Sequence, residues 1–175
     1  IANSRNYGIK KSSGDYIAFL DSDDWWHKTK LDESVKYINR YSCDIVYHDM
    51  FIFKNNLNYY LKKKVKTREL CKPVMIDLIQ NGNALVNSSV VVKKEILFSV
   101  DLISEDVDKI TWEDYDLWVK IAGVTDAFKR IPKTLGYYSI NANNLSDHKS
   151  EQNNQKAIKK NYMHYLNNVS VPNDT

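Results

Sequence analysis

An acidic run, Asp21-Ser22-Asp23-Asp24, directly follows the short apolar segment 16–20. An apolar run of that length between turn-forming residues predicts a buried strand, and ligands of open α/β sheets bind beyond the carboxyl ends of strands. Three carboxylates within four residues repel one another unless a cation or hydrogen bonds offset their charge. Mg²⁺ or Mn²⁺ that also holds a diphosphate takes such oxygen ligands. The run is therefore a candidate metal site.

The same four residues also have a structural interpretation. A second helix is predicted over about 27–40, and aspartates are favoured in turns and at helix N-termini. From these residues alone, capping and metal binding both remain open.

A second acidic run reads Thr111-Trp112-Glu113-Asp114-Tyr115-Asp116-Leu117-Trp118. Thr111 followed three residues later by Asp114 is an N-terminal capping pattern. Acidic side chains in a first helical turn also suit the helix dipole. Taken alone, this run favours a helix start.

The elements that must position these runs follow from periodicity and breakers. A helical stripe is predicted for Leu31, Val35 and Ile38, and another for Tyr115, Trp118 and Ile121. The predicted helices cover 3–11, 27–40, 74–80, 113–122 and 152–166, and the predicted strands cover 16–20, 45–47, 88–92 and 134–140, with a hairpin in 49–60. Strands that alternate with helices indicate an α/β protein with a largely parallel sheet.

Composition is that of an ordinary globular domain: 175 residues, 43% hydrophobic and 27% charged. The formal net charge of +3 is too small to indicate a nucleic-acid partner, and none is expected. Cys43 and Cys71 lack metal-ligand spacing, so we expect reduced thiols in a cytoplasmic protein. No apolar run approaches the roughly 20 residues of a membrane span. Lys62-Lys63-Lys64 is interpreted as a solvated surface, with peripheral contact to anionic lipid as the alternative.

The order of motifs resembles family 2 glycosyltransferases of the GT-A fold. Their pattern of Ala-Arg-Asn-x-Gly-Ile, Gly-(Asp/Glu)-Tyr-Ile, Leu-Asp-x-Asp-Asp, Trp and Lys-Leu has counterparts at fixed spacing in this chain. The counterparts are Ser4-Arg5-Asn6-Tyr7-Gly8-Ile9, Gly14-Asp15-Tyr16-Ile17, Leu20-Asp21-Ser22-Asp23-Asp24-Trp25-Trp26 and Lys30-Leu31. The family's Ser-Ser-Val-Val-Val strand and Glu-Asp-x-Asp-Leu-Trp signature correspond to stretches within 88–97 and 113–118. The resemblance covers about residues 1–146.

The resemblance implies a GT-A-like α/β fold, with a mixed, mostly parallel sheet flanked by helices. It implies that residues 1–150 are the C-terminal part of a catalytic domain truncated at its N-terminus. The family's first strand and its nucleobase-reading acidic residue would precede Ile1. Residues 151–175 are expected to form a helical, polar C-terminal extension.

Residue roles are implied in the same way. Asp21 and Asp23 would bind Mn²⁺ or Mg²⁺, with Asp23 as the direct ligand. Asp114 would be the general base, a role that is compatible with capping, while Asp116 would face elsewhere on the helix. The implied substrate-binding residues are Arg5 on the donor side, Trp112 and Glu113 near the acceptor, and Ser22 and Asp24 within the first acidic run.

The implied activity is inverting transfer of a sugar from a nucleotide diphosphate donor to a hydroxyl of a saccharide or lipid-linked saccharide. Its setting would be bacterial surface polysaccharide synthesis, in the cytoplasm or at the inner face of the membrane. One departure bears on the metal, because Asn141 stands where the family often has a histidine that contacts metal or diphosphate. Two alternatives are a glycosyltransferase-like binding module without turnover and a sugar nucleotidyltransferase.

Overall fold

A computed structural model describes residues 1–54, 59–106, 109, 112–140 and 148–168, without the side chains of 54, 59–62, 148–151 and 165–168. The helices are α1 (Ala2–Lys11), α2 (Lys30–Tyr41), α3 (Val74–Asn81), α4 (Lys94–Ser99), α5 (Glu113–Ala122) and α6 (His148–Asn168). The strands are β1 (Tyr16–Ala18), β2 (Trp25–Trp26), β3 (Ile45–Lys54), β4 (Tyr59–Val65), β5 (Val91–Lys93) and β6 (Phe128–Ile140). The predicted α/β class is confirmed.

One mixed sheet has the strand order β1-β5-β3-β6-β2, and β4 pairs with β3. The long central strand β3 runs parallel to β6 but antiparallel to β4 and β5, and the β1–β5 and β2–β6 pairs are also antiparallel. The expectation of a mostly parallel sheet is therefore wrong for the described strands. β4 returns directly from β3 as the predicted hairpin, and β5 runs against both of its neighbours.

Local boundaries differ from the predictions where polar residues interrupt apolar ones. The predicted strand 88–92 begins instead with a 3₁₀ turn, Asn87–Ser89, and only Val91–Lys93 joins the sheet. Helix α5 has the predicted bounds, and its stripe of Tyr115, Trp118 and Ile121 is buried. None of the helices in the described ranges combines the length and apolar character that a bilayer span requires.

Helix α2 buries a different face from the predicted stripe. Leu31 and Val35 are exposed, whereas Lys30, Ser34 and Ile38 are buried at i, i+4 and i+8. The Lys30 ammonium lies 3.8 Å from the centroid of the Trp26 ring and 3.4 Å from the Val90 carbonyl oxygen. A cation–π contact with an aromatic face lets a lysine occupy a position that periodicity alone assigns to an apolar residue.

Helix α6 packs onto the same core as the rest of the chain. Ile158 is fully buried within the main hydrophobic cluster. The Tyr162 hydroxyl donates to Asp116 Oδ1 at 2.8 Å, and the same carboxylate accepts from Lys109 Nζ at 3.0 Å. Asp116 thus faces α6, elsewhere on the helix from Asp114, and fixes α6 against α5.

Candidate functional site

The first acidic run forms one side of an open cleft of about 1010 Å³. Strand β1 ends at Ala18, and a turn closed by Asp24 N–H donating to the Asp21 carbonyl precedes β2. Asp21, Ser22 and Asp23 line the cleft, and Ser22 and Asp23 are exposed. The strand end therefore presents these polar side chains to a ligand-sized space.

Three further hydrogen bonds hold Asp21 in place. Its Oδ1 accepts from Arg5 Nη2 at 2.5 Å and from Asn87 Nδ2 at 2.8 Å. Its backbone N–H donates to Ser88 Oγ at 3.0 Å.

Helix α2 begins only at Lys30, after an N-cap at Thr29. The capping alternative for the first acidic run is therefore wrong.

Arg5 joins the two acidic runs. Its Nη1 donates to Glu113 Oε1 at 2.9 Å, while Nη2 bonds to Asp21. The Glu113 side chain is 9% exposed, so this charge pair is largely shielded from water. The planar guanidinium suits such a fork because its donors have fixed relative directions. Glu113, predicted to lie near the acceptor, lines the cleft with its carboxylate bonded to Arg5.

Asp114 lies half-buried in the same cleft, one residue further along α5. Its Oδ1 accepts the Tyr115 N–H at 2.7 Å, so it partly satisfies the helix N-terminus. No described residue hydrogen-bonds to its Oδ2. Burial raises the pKa of Asp114 to about 6, and the neighbouring charges of Glu113 and Asp21 act in the same direction. A carboxylate whose pKa lies near neutral pH, and whose Oδ2 can take up a proton, has the properties of a general base.

The remaining residues of the second run have different placements. Trp112 is the N-cap residue of α5 and lines the cleft, although it is only 6% exposed. Thr111, the predicted cap, lies outside the described residues. The implied position of Trp112 near the acceptor stays a prediction.

Asp24 does not line the cleft. It is buried, and its Oδ1 accepts the Ser139 N–H of β6 at 2.9 Å. Burial raises the pKa of Asp24 to about 6. The expectation that Asp24 contacts substrate is therefore corrected. Its buried carboxylate instead links the first acidic run to β6.

The residues fit a metal only as a partial ligand set. Among the described residues, no three His, Cys, Asp or Glu side chains converge as a preformed cage. Mg²⁺ held together with substrate phosphates needs only one or two protein carboxylates, and the exposed Asp23 beside Asp21 could supply these. Asn141 and the side chain of His148 lie outside the described residues.

Two parts of the fold that contribute to the site were not predicted to do so. The first is the 3₁₀ turn before β5, where Asn87 and Ser88 both bind Asp21 and are both buried. A polar Asn-Ser-Ser sequence before an apolar strand is the signal that could have indicated them. The second is α6, whose Gln152, Asn154 and Gln155 also line the cleft.

Comparisons with known proteins agree with this architecture. Among solved structures, the crystal structure of S. aureus TarS 1-349 in complex with UDP-GlcNAc superposes with a TM-score of 0.66 at 16% identity. That match covers 98% of this chain and 48% of the TarS 1-349 chain, and it confirms the GT-A-type fold.

Sequence relatives include the amylovoran biosynthesis glycosyltransferase AmsB of Erwinia amylovora, 29% identical over 86% of this chain and 50% of AmsB. A second is the UDP-Glc:alpha-D-GlcNAc-diphosphoundecaprenol beta-1,3-glucosyltransferase WfaP of Escherichia coli, 28% identical over 86% of this chain and 56% of WfaP. The chain thus spans about half the length of these curated relatives. The family model described as glycosyl transferase family 2 matches residues 1–105, which include Arg5 and the first acidic run. The strand-end carboxylates and the fold agree with this match. The chain therefore belongs to glycosyl transferase family 2.

Proposed function

We propose that this chain forms part of the catalytic domain of an inverting glycosyltransferase. The enzyme moves a sugar from a nucleotide diphosphate donor to a hydroxyl of a saccharide or lipid-linked saccharide. The observation that carries the proposal is the placement of Asp114 in one cleft with Asp21 and Asp23. A base candidate and a diphosphate-binding candidate must share one space for such a transfer.

Asp114 has the base role in this proposal. The acceptor hydroxyl oxygen attacks the anomeric carbon while Asp114 Oδ2 takes the hydroxyl proton. The bond from the anomeric carbon to the diphosphate oxygen breaks, and the diphosphate leaves with the electron pair. Because attack and departure occur on opposite faces, the configuration inverts. The hydrogen bond from Tyr115 N–H to Oδ1 orients the carboxylate so that Oδ2 is available.

The donor occupies the end of the cleft that carries Asp21, Ser22 and Asp23. The UDP-GlcNAc complex of TarS and the UDP-glucose donor in the name of WfaP support a nucleotide sugar as donor. Asp23 and Asp21 would hold Mn²⁺ or Mg²⁺, which when bound neutralises charge on the departing diphosphate. Arg5 keeps Asp21 oriented toward this end of the cleft.

The setting is bacterial surface polysaccharide synthesis, in the cytoplasm and next to the inner face of the membrane. Support comes from the amylovoran pathway in the name of AmsB and the lipid-linked acceptor in the name of WfaP. Lys63 and Lys64 on β4 are exposed, as contact with anionic head groups would require.

The decisive experiment is Asp114→Asn in the full-length protein. Asparagine keeps the side-chain oxygen that accepts the Tyr115 N–H but cannot accept a proton, so turnover should fall by about 10²–10⁴-fold. Binding of UDP should change little. Asp32→Asn is the matched control, since Asp32 is an exposed first-turn aspartate of α2 outside the cleft. Asp116 is unsuitable because it is fully buried and anchors α6.

Wild-type turnover by a folded Asp114→Asn variant would refute the base assignment. Binding of UDP-sugar by the parent without hydrolysis or transfer would instead favour the binding-module alternative. Formation of UDP-sugar from UTP and a sugar phosphate would favour the nucleotidyltransferase.

A further inference from the structure

Six of the residues that line the cleft carry side-chain amides. We call this set the amide wall; it comprises Asn81, Asn83, Asn87, Gln152, Asn154 and Gln155. It is built from the end of α3, the segment that leads into the 3₁₀ turn, the first residue of that turn and the first half of α6. Beyond Arg5 and the two acidic runs, Lys66 is the only other charged side chain among the described residues that line the cleft.

Two of these amides are oriented by the main chain. Asn83 Oδ1 accepts the Leu85 N–H at 3.1 Å, which leaves its Nδ2 as a donor for a ligand. Gln155 Nε2 donates to the Gln80 carbonyl oxygen at 3.0 Å, which leaves its Oε1 as an acceptor. One donor and one acceptor are thus held in place before a ligand binds, which lowers the entropy cost of binding.

A third amide connects the wall to the proposed donor end. Asn87 Nδ2 donates to Asp21 Oδ1, and Asn87 is buried. Asn81 Nδ2 donates to Asp77 Oδ1 at 2.6 Å, and Arg68 also binds that carboxylate. Two more members of the amide wall are therefore held by carboxylates, Asn87 at the first acidic run and Asn81 at α3.

Helix α6 is held firmly enough to serve as part of a binding surface. Ile158 is buried in the core, and Tyr162 bonds to the buried Asp116. Gly82, at a φ of 88°, ends α3, and a Cβ at this position would lie 3.5 Å from Gln155 Nε2. That φ favours glycine, so the backbone turn that ends α3 beside Gln155 depends on this residue.

The chemistry of the wall selects a class of ligand. Each side-chain amide offers both donors and an acceptor, which complements sugar hydroxyls and acetamido groups. An uncharged wall gives no electrostatic compensation for burying an ionised ligand group. From this we infer that the amide wall binds the uncharged, hydroxyl-rich saccharide of the acceptor. The inference rests on the proposed function for its acceptor role, in which Asp21 and Asp23 hold the donor's diphosphate and Asp114 activates the acceptor hydroxyl.

The test uses saturation-transfer NMR on the full-length protein with methyl β-N-acetylglucosaminide, and calorimetry with UDP and UDP-glucose. The variant is the double substitution Asn83→Ala with Gln152→Ala. The control is Asn153→Ala, an exposed residue of α6 that does not line the cleft. Melting curves confirm that each variant is folded.

We expect the double variant to bind the N-acetylglucosaminide about tenfold more weakly, as expected for one or two lost hydrogen bonds, and to bind UDP and UDP-glucose as the parent does. Methyl β-glucuronide should bind the parent more weakly than the uncharged sugar. Unchanged N-acetylglucosaminide binding in a folded double variant would overturn the inference, as would a parent that does not bind this sugar. A loss confined to UDP-glucose would assign the wall to the donor sugar and overturn the acceptor role. A parent that binds the sugar through the wall but turns over no donor would refute the proposed activity and still support the site.

Discussion

Glu113 Oε1 lies 2.9 Å from Nη1 of Arg5, a residue 108 positions earlier in the chain. Because Nη2 of the same guanidinium binds Asp21, Arg5 holds the start of α5 against the turn that follows β1. The relative position of the proposed base and the proposed donor site therefore depends on this arginine.

Arg5→Lys should show whether the positive charge of Arg5 suffices or whether its planar guanidinium is required. Lysine keeps the positive charge but lacks the planar fork, so it cannot bridge both carboxylates in the same way. We expect kcat to fall at least about tenfold while the protein stays folded, measured by donor turnover and a melting curve. Arg40→Lys, on α2 and outside the cleft, is the control. Wild-type kcat for Arg5→Lys would show that the fork is dispensable.

The metal assignment predicts the behaviour of Asp23→Ala. If Asp23 holds the cation with the donor diphosphate, this variant should lose Mn²⁺-dependent UDP binding, measured by calorimetry with and without EDTA. The melting temperature should hardly change, because Asp23 is exposed. Equal UDP affinity of parent and variant in the presence of Mn²⁺ would exclude Asp23 as a ligand.

The raised pKa of Asp114, about 6, predicts an acidic limb in the rate profile. A general base must be deprotonated, so kcat/KM should rise with pH through about 6 and then level off. At pH 5 it should be about tenfold below the plateau, as one proton with this pKa requires. In Asp114→Asn the residual rate should lack this limb. A limb that persists unchanged in the variant would assign the titration to another group.

Asp116→Asn should destabilise the fold. The substitution removes a fully buried charge that faces Lys109 and bonds to Tyr162, and breaking a buried ion pair costs on the order of 3 kcal/mol. Chemical denaturation should show this loss, together with faster proteolysis of α6. Stability equal to that of the parent would mean that α6 is anchored by its apolar contacts alone.

Lys30→Met should stabilise the protein in a pH-dependent way. Burial lowers the pKa of Lys30 to about 7, so between pH 7 and 10.5 the unfolded state binds more protons and parent stability rises with pH. Methionine does not titrate, so its gain in melting temperature should be largest near pH 6 and shrink by pH 10. The cation–π contact with Trp26 opposes the gain. A gain independent of pH would show that Lys30 is not the titrating group.

The sequence by itself determined the parts of this protein whose signals are local. The acidic run after β1, the bounds of α5 and the β3–β4 hairpin follow from composition and periodicity over a few residues, and the motif order indicated the family. These features could be predicted because a strand end, a helix stripe and a turn depend mainly on neighbours in the chain.

Tertiary structure alone decided the strand directions, the buried face of α2 and the connections within the cleft. Lys30 is buried because Trp26 offers an aromatic face, and Asp24 points inward because Ser139 offers an N–H. Arg5 meets Glu113, and α6 completes the cleft wall, only after distant segments pack together. Hydrogen-bond partners and charge environments are set by three-dimensional proximity, which one-dimensional periodicity does not encode.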